Sequence, residues 1–400
     1  MSALAGKRIV LGVTGGIAAY KAVEVCRRLM EAGAYVRPVM TRGAQRFVGP
    51  TTLSALASEA VRTSLFDEDD PIPHTRLGQQ ADLILVCPAT ARVIGSYAAG
   101  ISDDLLTATL LATRAPVVIC PAMHTEMWEH PAVEENLNTL VRRGVTVVPP
   151  ESGRLAGGDV GTGRLAEVET ILATVRRVLG PQDLKGWRIL VSAGGTREAI
   201  DPVRVITNRS SGKQGYALAE AALERGAEVT LVTTVDRPAP RGAEVIRVSS
   251  AADMGQAIVP IAASYDAIIM AAAVADFRVA NVADHKIKKG EVTPVIELEP
   301  THDFLVDLGR AKPPGQVLVG FAAETEDVLA NAAAKLERKK LDLIVANDVS
   351  APGAGFEHDT NAVVILGADG SSLEVPLSDK RTVAHAVLDR VLAVRAGHAG

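Results

Sequence analysis

Short apolar runs rich in Val, Ile and Leu recur along the chain, separated by longer stretches whose apolar residues repeat at helical spacing. Lys7 to Val13 is the first run. Thr14-Gly15-Gly16-Ile17 breaks it, Ala18 to Ala32 reads as a helix, and Gly33 ends that helix before a second strand, Tyr35 to Met40. Strands and helices in alternation predict a doubly wound α/β domain with a parallel sheet. Two further strands share one pattern: Leu83 to Val86 runs into Cys87-Pro88-Ala89-Thr90, and Val117 to Ile119 into Cys120-Pro121-Ala122-Met123-His124. Between them Ser102-Asp103-Asp104-Leu105 is expected to open a helix, with Ser102 as the cap and acidic residues in the first turn, at the positive end of the dipole. Ser152 to Leu165 holds five glycines in fourteen residues. It lies before a helix starting near Ala166 and reads either as a lid over a site or as a flexible connector.

Leu179-Gly180-Pro181-Gln182-Asp183-Leu184-Lys185-Gly186 interrupts this alternation, and the Gly-Pro pair marks a boundary between two domains, 1–180 and 187–400. The pattern then begins again. Arg188 to Ala193 is an apolar run, Ile200 to Gly215 a long polar loop, Tyr216 to Arg225 a helix and Glu228 to Thr233 a strand, which together predict a βαβ unit. Ser210-Ser211-Gly212-Lys213 leads into that helix with hydroxyls, backbone N–H groups and a cation together, a combination suited to phosphate. The same residues could equally do no more than cap the helix, and the P-loop spacing is absent. Asp266 to Met270 ends in a run of small residues, Ala271 to Ala275, followed by Asp276 and Phe277, and Val317 to Gly320 ends at Phe321-Ala322-Ala323-Glu324-Thr325. Such small residues admit either a ligand or a closely packed helix. Lys286-Ile287-Lys288-Lys289 is a solvated basic loop or a lid for a polyphosphate. Asp348-Val349-Ser350, the polar stretch Pro352 to Asn361 and a strand pair precede a final helix, Asp379 to Arg395.

With 48% hydrophobic residues in 400, the chain can fill two cores, and with only 3% aromatics it must build them from Ala, Val, Leu and Ile. A net charge of -5 gives no reason to expect nucleic acid as a partner. Cys26, Cys87 and Cys120 lack disulfide or metal spacing, and Cys87 and Cys120, each ending an apolar run before Pro-Ala, read as buried thiols. The N-terminus enters directly into a strand pattern without a signal peptide. No apolar segment is long enough to span a membrane, so a cytoplasmic location is expected. Thr14-Gly15-Gly16-Ile17 stands at a strand's carboxyl end, where open parallel sheets bind ligands. It departs from G-x-G-x-x-G, and Thr41 occupies the place of an acidic ribose ligand, which suits a mononucleotide with a terminal phosphate better than NAD. His74, in Pro71-Ile72-Pro73-His74-Thr75, is either catalytic or an ordinary structural histidine.

Gly15-Gly16-Ile17-Ala18-Ala19-Tyr20-Lys21, Pro73-His74, Pro88-Ala89-Thr90, Pro121-Ala122-Met123 and the glycine-rich segment resemble the flavin-dependent cysteine decarboxylases. Asp201-Pro202-Val203-Arg204 with Asn208-Arg209-Ser210-Ser211-Gly212-Lys213 resembles the phosphopantothenate–cysteine ligases. In that order the two sets are similar to the fused bacterial enzymes of coenzyme A synthesis, over nearly the whole chain. The resemblance implies a flavodoxin-like or Rossmann-like FMN-binding domain followed by a Rossmann-like ligase domain. It places the FMN phosphate near Gly15, Gly16, Ile17 and Thr41 and the ring near Thr90 and Ser102, with His74 as the base acting on phosphopantothenoylcysteine. His124 stands where the family usually has the Asn that holds the substrate carboxylate. Gly157 stands where it usually has a flap Cys that serves the final protonation.

In the second domain the resemblance places CTP against Ser210, Ser211, Gly212, Lys213, Asp276 and Lys286, and against His302, Asp303, Phe304, Leu305, Phe321, Lys335 and Lys339. Asn208 would stabilise an acyl-cytidylate, Lys286 would contact the nucleotide or the activated acyl group, and Mg2+ would shield the triphosphate, with Asp276 as its candidate protein ligand. Family members assemble from flavin-domain trimers and ligase-domain dimers, which implies a homododecamer. The partners are otherwise small molecules: 4'-phosphopantothenate, cysteine and CTP. Two rivals stay open: an NAD(P)-linked oxidoreductase with two Rossmann-like units, and a flavin-binding regulatory protein whose decarboxylase site is impaired by Gly157.

Overall fold

The first apolar run folds as β1 (Arg8–Val13), and the alternation of its side chains decides how the surrounding layers form. A computed structural model of the chain describes residues 4–66, 71–288, 295–324, 327–348 and 358–398. Lys289, Thr325, Val349-Ser350 and residues 352–357 of the sequence reading lie outside the described residues. Ile9, Leu11 and Val13 face one side of the sheet and pack on the helices Lys21–Glu31 and Val168–Leu179. Val10 faces the other side, against the helices Ala91–Ala99, Leu105–Leu111 and Pro131–Arg142. β2 (Tyr35–Met40), β3 (Leu83–Ala89), β4 (Val117–Pro121) and β5 (Thr146–Val147) complete a sheet in the order β2-β1-β3-β4-β5, parallel throughout. That is the flavodoxin-like strand order.

Gly33 ends the first helix as expected. It adopts φ +85, its N–H donates to the Met30 carbonyl at 2.9 Å, and the Ala34 N–H donates to that of Leu29 at 3.0 Å, so two otherwise orphaned carbonyls are satisfied. The helix expected from Ala18 begins instead with a 3-10 turn, Ile17–Tyr20, and becomes α-helical at Lys21. The expected Ser102 cap moves two residues on. Asp104 accepts from the Thr107 N–H at 2.8 Å while the Thr107 hydroxyl accepts from the Asp104 N–H at 3.2 Å, a reciprocal capping box that Ser102 is too far upstream to make. The glycine-rich segment is a hairpin of β6 (Glu151–Arg154) and β7 (Val160–Arg164).

The chain divides into two compact units at Pro181/Gln182. In the second, β8 (Arg188–Ala193) is followed by a feature the hydrophobic pattern does not announce. The polar loop folds into an antiparallel pair, β9 (Arg197–Ala199) and β10 (Val205–Thr207), before the helix Lys213–Glu224. β11 (Glu228–Thr233), β12 (Ala243–Arg247) and β13 (Ala267–Met270) follow, then the short pair β14 (Phe277–Val279) and β15 (Leu298–Pro300), then β16 (Val317–Glu324) and β17 (Leu343–Asp348). The sheet order β12-β11-β8-β13-β16-β17 is that of a Rossmann fold, extended antiparallel by β18 (Thr360–Gly367) and β19 (Ser372–Asp379). Helices Lys213–Glu224 and Lys380–His398 cover one face. Ala251–Ile258, Phe304–Ala311 and Val328–Arg338 cover the other.

Cys87 and Cys120 are buried and without disulfides, as the sequence suggests, and Cys26 is buried and free as well. Among the described residues no helix is long and apolar enough to cross a membrane. Ile269 is wholly buried in the central strand β13, between β8 and β16. The substitution Ile269→Ala is expected to cost about 2–5 kcal/mol by leaving a cavity that a sheet strand cannot collapse around. A chemical denaturation midpoint equal to that of the wild type would contradict this placement.

Candidate functional site

β1 and β3 are neighbours whose connections leave the sheet in opposite directions, and a crevice opens where they part. The Thr14 hydroxyl holds the two lips at a fixed separation, donating to the Pro88 carbonyl at 2.7 Å and accepting from the Thr90 N–H at 3.1 Å. Gly15 lies directly on Gly43, where an added Cβ would come within 2.7 Å of the Gly43 carbonyl carbon, so only glycine permits this approach of two backbones. The resulting cleft has a volume of about 880 Å³. Gly15, Gly16, Ile17, Thr41, Thr90 and His124 all line it, as do Gly157 and its neighbours in the β6–β7 hairpin.

Two predicted residues are not in its lining. Ser102 is exposed, two residues before the cap. His74 is the second residue of the helix Pro73–Gln80, half-buried, with its Nδ1 enclosed and without a partner. His124, in contrast, is held at both ring nitrogens. Nδ1 meets the Glu126 carboxylate and Nε2 lies 3.1 Å from the Asp159 Oδ2 at the hairpin tip. Glu126 first, and Asp159 with it, raise the imidazole above its ordinary titration range.

The second unit repeats the geometry at the fork between β8 and β13. Gly195 and Ala273 form a bridge beyond the strand ends, and the Ala273 N–H donates to the Gly194 carbonyl at 2.8 Å. A small cleft of about 80 Å³ lies above them, walled by Ser210 to Gly215 and by Ala271 to Ala273 with Phe321. Gly212 occupies the cap position of the helix Lys213–Glu224 at φ +73, with no side chain to cap it. The Lys213 ammonium is 2.6 Å from Asp359.

Asn208 hangs beside this cleft, donating through Nδ2 to the Ala273 carbonyl at 3.1 Å. The other predicted contacts are dispersed. Asp276 and Lys286 are exposed and outside the lining, and Leu305 and Lys335 are outside it too. Lys339 forms an ion pair with Asp303 at 2.8 Å. His302 and Phe304 line a different, larger cleft of about 1040 Å³, bounded by Glu198, Arg278 and Glu299. His302 is there paired with Asp307 at 2.5 Å.

Asp201 ties the polar loop to the basic segment. Its Oδ1 accepts from the Val203 and Arg204 N–H groups, each at 2.8 Å, and its Oδ2 accepts from the Arg204 Nε at 2.9 Å and the Ile287 N–H at 3.1 Å. Arg204 reciprocates by donating to the Ile287 carbonyl at 2.9 Å. The Arg204 guanidinium is the main cause that holds the Asp201 carboxyl well below the usual carboxylate range.

Gln214, Asn347, Asn361 and Lys380 also line the small cleft, and the sequence reading does not single them out. The Gln214 Oε1 and Asn361 Oδ1 are enclosed there without partners. Burial first, and Lys213 after it, lower the Lys380 ammonium to about 8. The signal was topological: β18 runs antiparallel, so its first residues lie at the same edge as the carboxyl ends of the parallel strands. Among the described residues no cluster of three or more His, Cys, Asp or Glu could hold a metal ion.

Residues 2–180 match the flavoprotein family, and residues 184–394 match the DNA/pantothenate metabolism flavoprotein C-terminal domain. The coenzyme A biosynthesis bifunctional protein CoaBC of Mycobacterium tuberculosis is 50% identical over 98% of this chain and 97% of its own length. That of Bacillus subtilis is 48% identical over 98% of each. The crystal structure of the C-terminal domain of a CoaBC protein aligns with 52% of this chain and 95% of its own, at 42% identity and a TM-score of 0.45. With both halves matched in order and relatives similar along their full length, the chain belongs to the family of coenzyme A biosynthesis bifunctional proteins.

Proposed function

We propose that the chain carries out two consecutive reactions of coenzyme A biosynthesis: residues 187–400 join cysteine to 4'-phosphopantothenate, and residues 1–180 decarboxylate the phosphopantothenoylcysteine so formed to 4'-phosphopantetheine. The observation that carries this reading is the presence of two clefts, each at the fork of a doubly wound sheet, in a chain whose halves match the two families in order. The first cleft fits FMN. Its volume lies in the range of cofactor sites, and the Gly15–Gly43 contact is the kind of cradle that any Cβ would fill. Gly15, Gly16, Ile17 and Thr41 would hold its phosphate, and Thr90 would flank its ring. Bound there, the flavin supplies a reversible two-electron sink, so that carbon dioxide leaves from a carbon next to a thiocarbonyl in place of an unstabilised one.

We assign CTP to the second unit, with the small cleft, at about 80 Å³ too small for a whole nucleotide, taking part of it. Ser210 to Lys213 offer backbone N–H groups and a cation at a helix start. The enclosed Gln214 and Asn361 oxygens are acceptors for hydroxyl or amino donors on a ribose or base. A carboxylate is a poor electrophile, and forming an acyl-cytidylate with release of pyrophosphate activates it for attack by the cysteine amine. Asn208 and Lys286 are placed against this intermediate in our reading, and Lys335, Lys339, Asp303 and Leu305 on the nucleotide. Mg2+ would arrive on the triphosphate, with Asp276 as its protein ligand.

An assembly of twelve copies, from trimers of the first unit and dimers of the second, follows the same reading. Ile17 and Tyr20 are 62% and 61% exposed at the cleft, and Val160 on the hairpin is 81% exposed, a cost that a covering subunit would remove. Such a neighbour would also bring His74, absent from its own chain's cleft lining, to the flavin as the base. A cytoplasmic location suits a chain whose three thiols are unpaired.

Two outcomes test this. The full chain supplied with 4'-phosphopantothenate, cysteine and CTP is expected to yield 4'-phosphopantetheine, and to need no CTP when phosphopantothenoylcysteine is supplied directly. Failure of either half of that assay removes the corresponding activity. Because the Lys380 ammonium titrates near 8, a bound triphosphate must restore its proton above that pH, so CTP affinity is expected to fall as pH rises through about 8. Lys380→Met should weaken CTP binding by roughly ten- to a hundredfold and abolish that pH dependence, as read by calorimetry. An unchanged profile would remove Lys380 from the site.

A further inference from the structure

The proton needed to finish the decarboxylase reaction has no obvious source in this cleft. None of the three thiols lines it, since Cys26, Cys87 and Cys120 are buried elsewhere. The residue facing the cleft at the hairpin tip is Gly157, which has no side chain to donate from.

The hairpin nevertheless brings an acid to that point. Its base is fastened where the Met123 N–H donates to the Gly163 carbonyl at 3.0 Å. Its tip is closed where the Leu155 N–H donates to the Asp159 carbonyl at 2.8 Å and the Gly158 N–H to the Leu155 carbonyl at 3.0 Å. This folds Gly157 against the His124 ring. A Cβ at Gly157 would lie 3.8 Å from His124 Nε2 and 3.2 Å from the Asp159 Oδ2. The imidazole therefore borders the space that a side chain at 157 would fill. Glu126 and Asp159 face its two nitrogens and favour its protonated form, raising it above the ordinary imidazole range. The other charged groups of the cleft are all cations. Arg164 pairs with Glu151 and Glu167, Arg92 with Asp103 and Asp104, Lys21 lies 3.9 Å from Glu167, and Arg154 stands on the hairpin. Tyr20 is the remaining phenol of this wall.

We propose that His124, positioned by Asp159 of the hairpin and by Glu126, is the acid that protonates the carbon from which carbon dioxide has left. This rests on the decarboxylase reading above. After decarboxylation the substrate carries a carbon–carbon double bond ending in a thiolate. The Nε2 proton of His124 passes to the carbon that bore the carboxylate. The electron pair of the double bond forms the new C–H bond, and a thiocarbonyl re-forms at the neighbouring carbon. Hydride to that carbon, leaving a thiolate, is the chemistry that bound reduced FMN would supply. Solvent returns a proton to the imidazole and supplies one to the thiolate. The two electrons taken from the cysteine thiol carbon at the start are thereby returned.

His124→Asn tests this in the FMN-loaded full chain supplied with phosphopantothenoylcysteine. Steady-state product is expected to fall about 10²–10⁴-fold while one equivalent of carbon dioxide per flavin is still released. The visible flavin band should stay bleached, and mass spectrometry should find a stalled product two hydrogens lighter than phosphopantetheine. In Asp159→Asn the acid remains but loses a partner, so the alkaline limb of the decarboxylation pH profile should move to lower pH. The imidazole signals of ¹³C-histidine-labelled FMN-free protein should move with it. Full turnover by His124→Asn to the saturated product would overturn the assignment, as would a rise in KM alone without a stalled product. If that variant loses its flavin, the Asp159→Asn limb decides, and an unmoved limb counts against the proposal. Wild-type protein that releases no carbon dioxide would instead refute the decarboxylase reading itself.

Discussion

Parallel strands must be joined by connections that cross a face of the sheet, and at one place in each sheet those connections turn away from each other. The gap they leave cannot be filled by secondary structure, and both clefts of this chain occupy it. What the sequence adds is a set of short side chains that keep the lips of each gap from collapsing or spreading. In the first unit Thr14 bridges the loops after β1 and β3. In the second the Ser192 hydroxyl accepts from the Ala272 N–H at 3.1 Å, and the Thr196 hydroxyl from the Ala275 N–H at 2.9 Å, so the loops after β8 and β13 are joined in the same way. These hydroxyls are buried and satisfied, which makes the crevices fixed features of the fold.

The two movable-looking segments are each held by a carboxylate. Asp159 binds the hairpin of the first unit to His124, and Asp201 binds the basic segment of the second unit to the turn before β10. The resemblance is only partial. The Asp201 carboxylate is buried and accepts from three backbone N–H groups, so its rotamer is fixed from several directions. Asp159 is mostly exposed and makes its bond to a ring whose charge depends on pH, so the hairpin contact is the weaker and more responsive of the two.

Much of this was legible along the chain. β1, β2, β8 and β11 are dense in branched apolar residues, and Gly33 could only be a helix end. The hairpins were not, because β6, β7, β9 and β10 are short, glycine-rich or polar, and carry no alternation for the eye to find. The Ser102 cap went astray for a subtler reason: three adjacent residues, Ser102, Asp103 and Asp104, are all good caps, and Thr107 selected the last by answering with its own hydroxyl. Site residues near Thr14 and Ser210 follow strand ends that the pattern reveals. Lys380 and Asn361 reach the same small cleft from far along the chain by antiparallel pairing, and His302 and Phe304 turn to a different cleft, which only the completed sheet decides.

With glycine at 157 and its three cysteines wholly enclosed, the first unit presents no cysteine thiol to solvent. Burial pushes the Cys26 thiol to about 11, and burial also raises that of Cys120, so neither offers a thiolate to an oxidant or an alkylating agent. With no thiol at the cleft, the sulfur that an oxidant meets there is the thioether of Met123 or Met127, both of which line it.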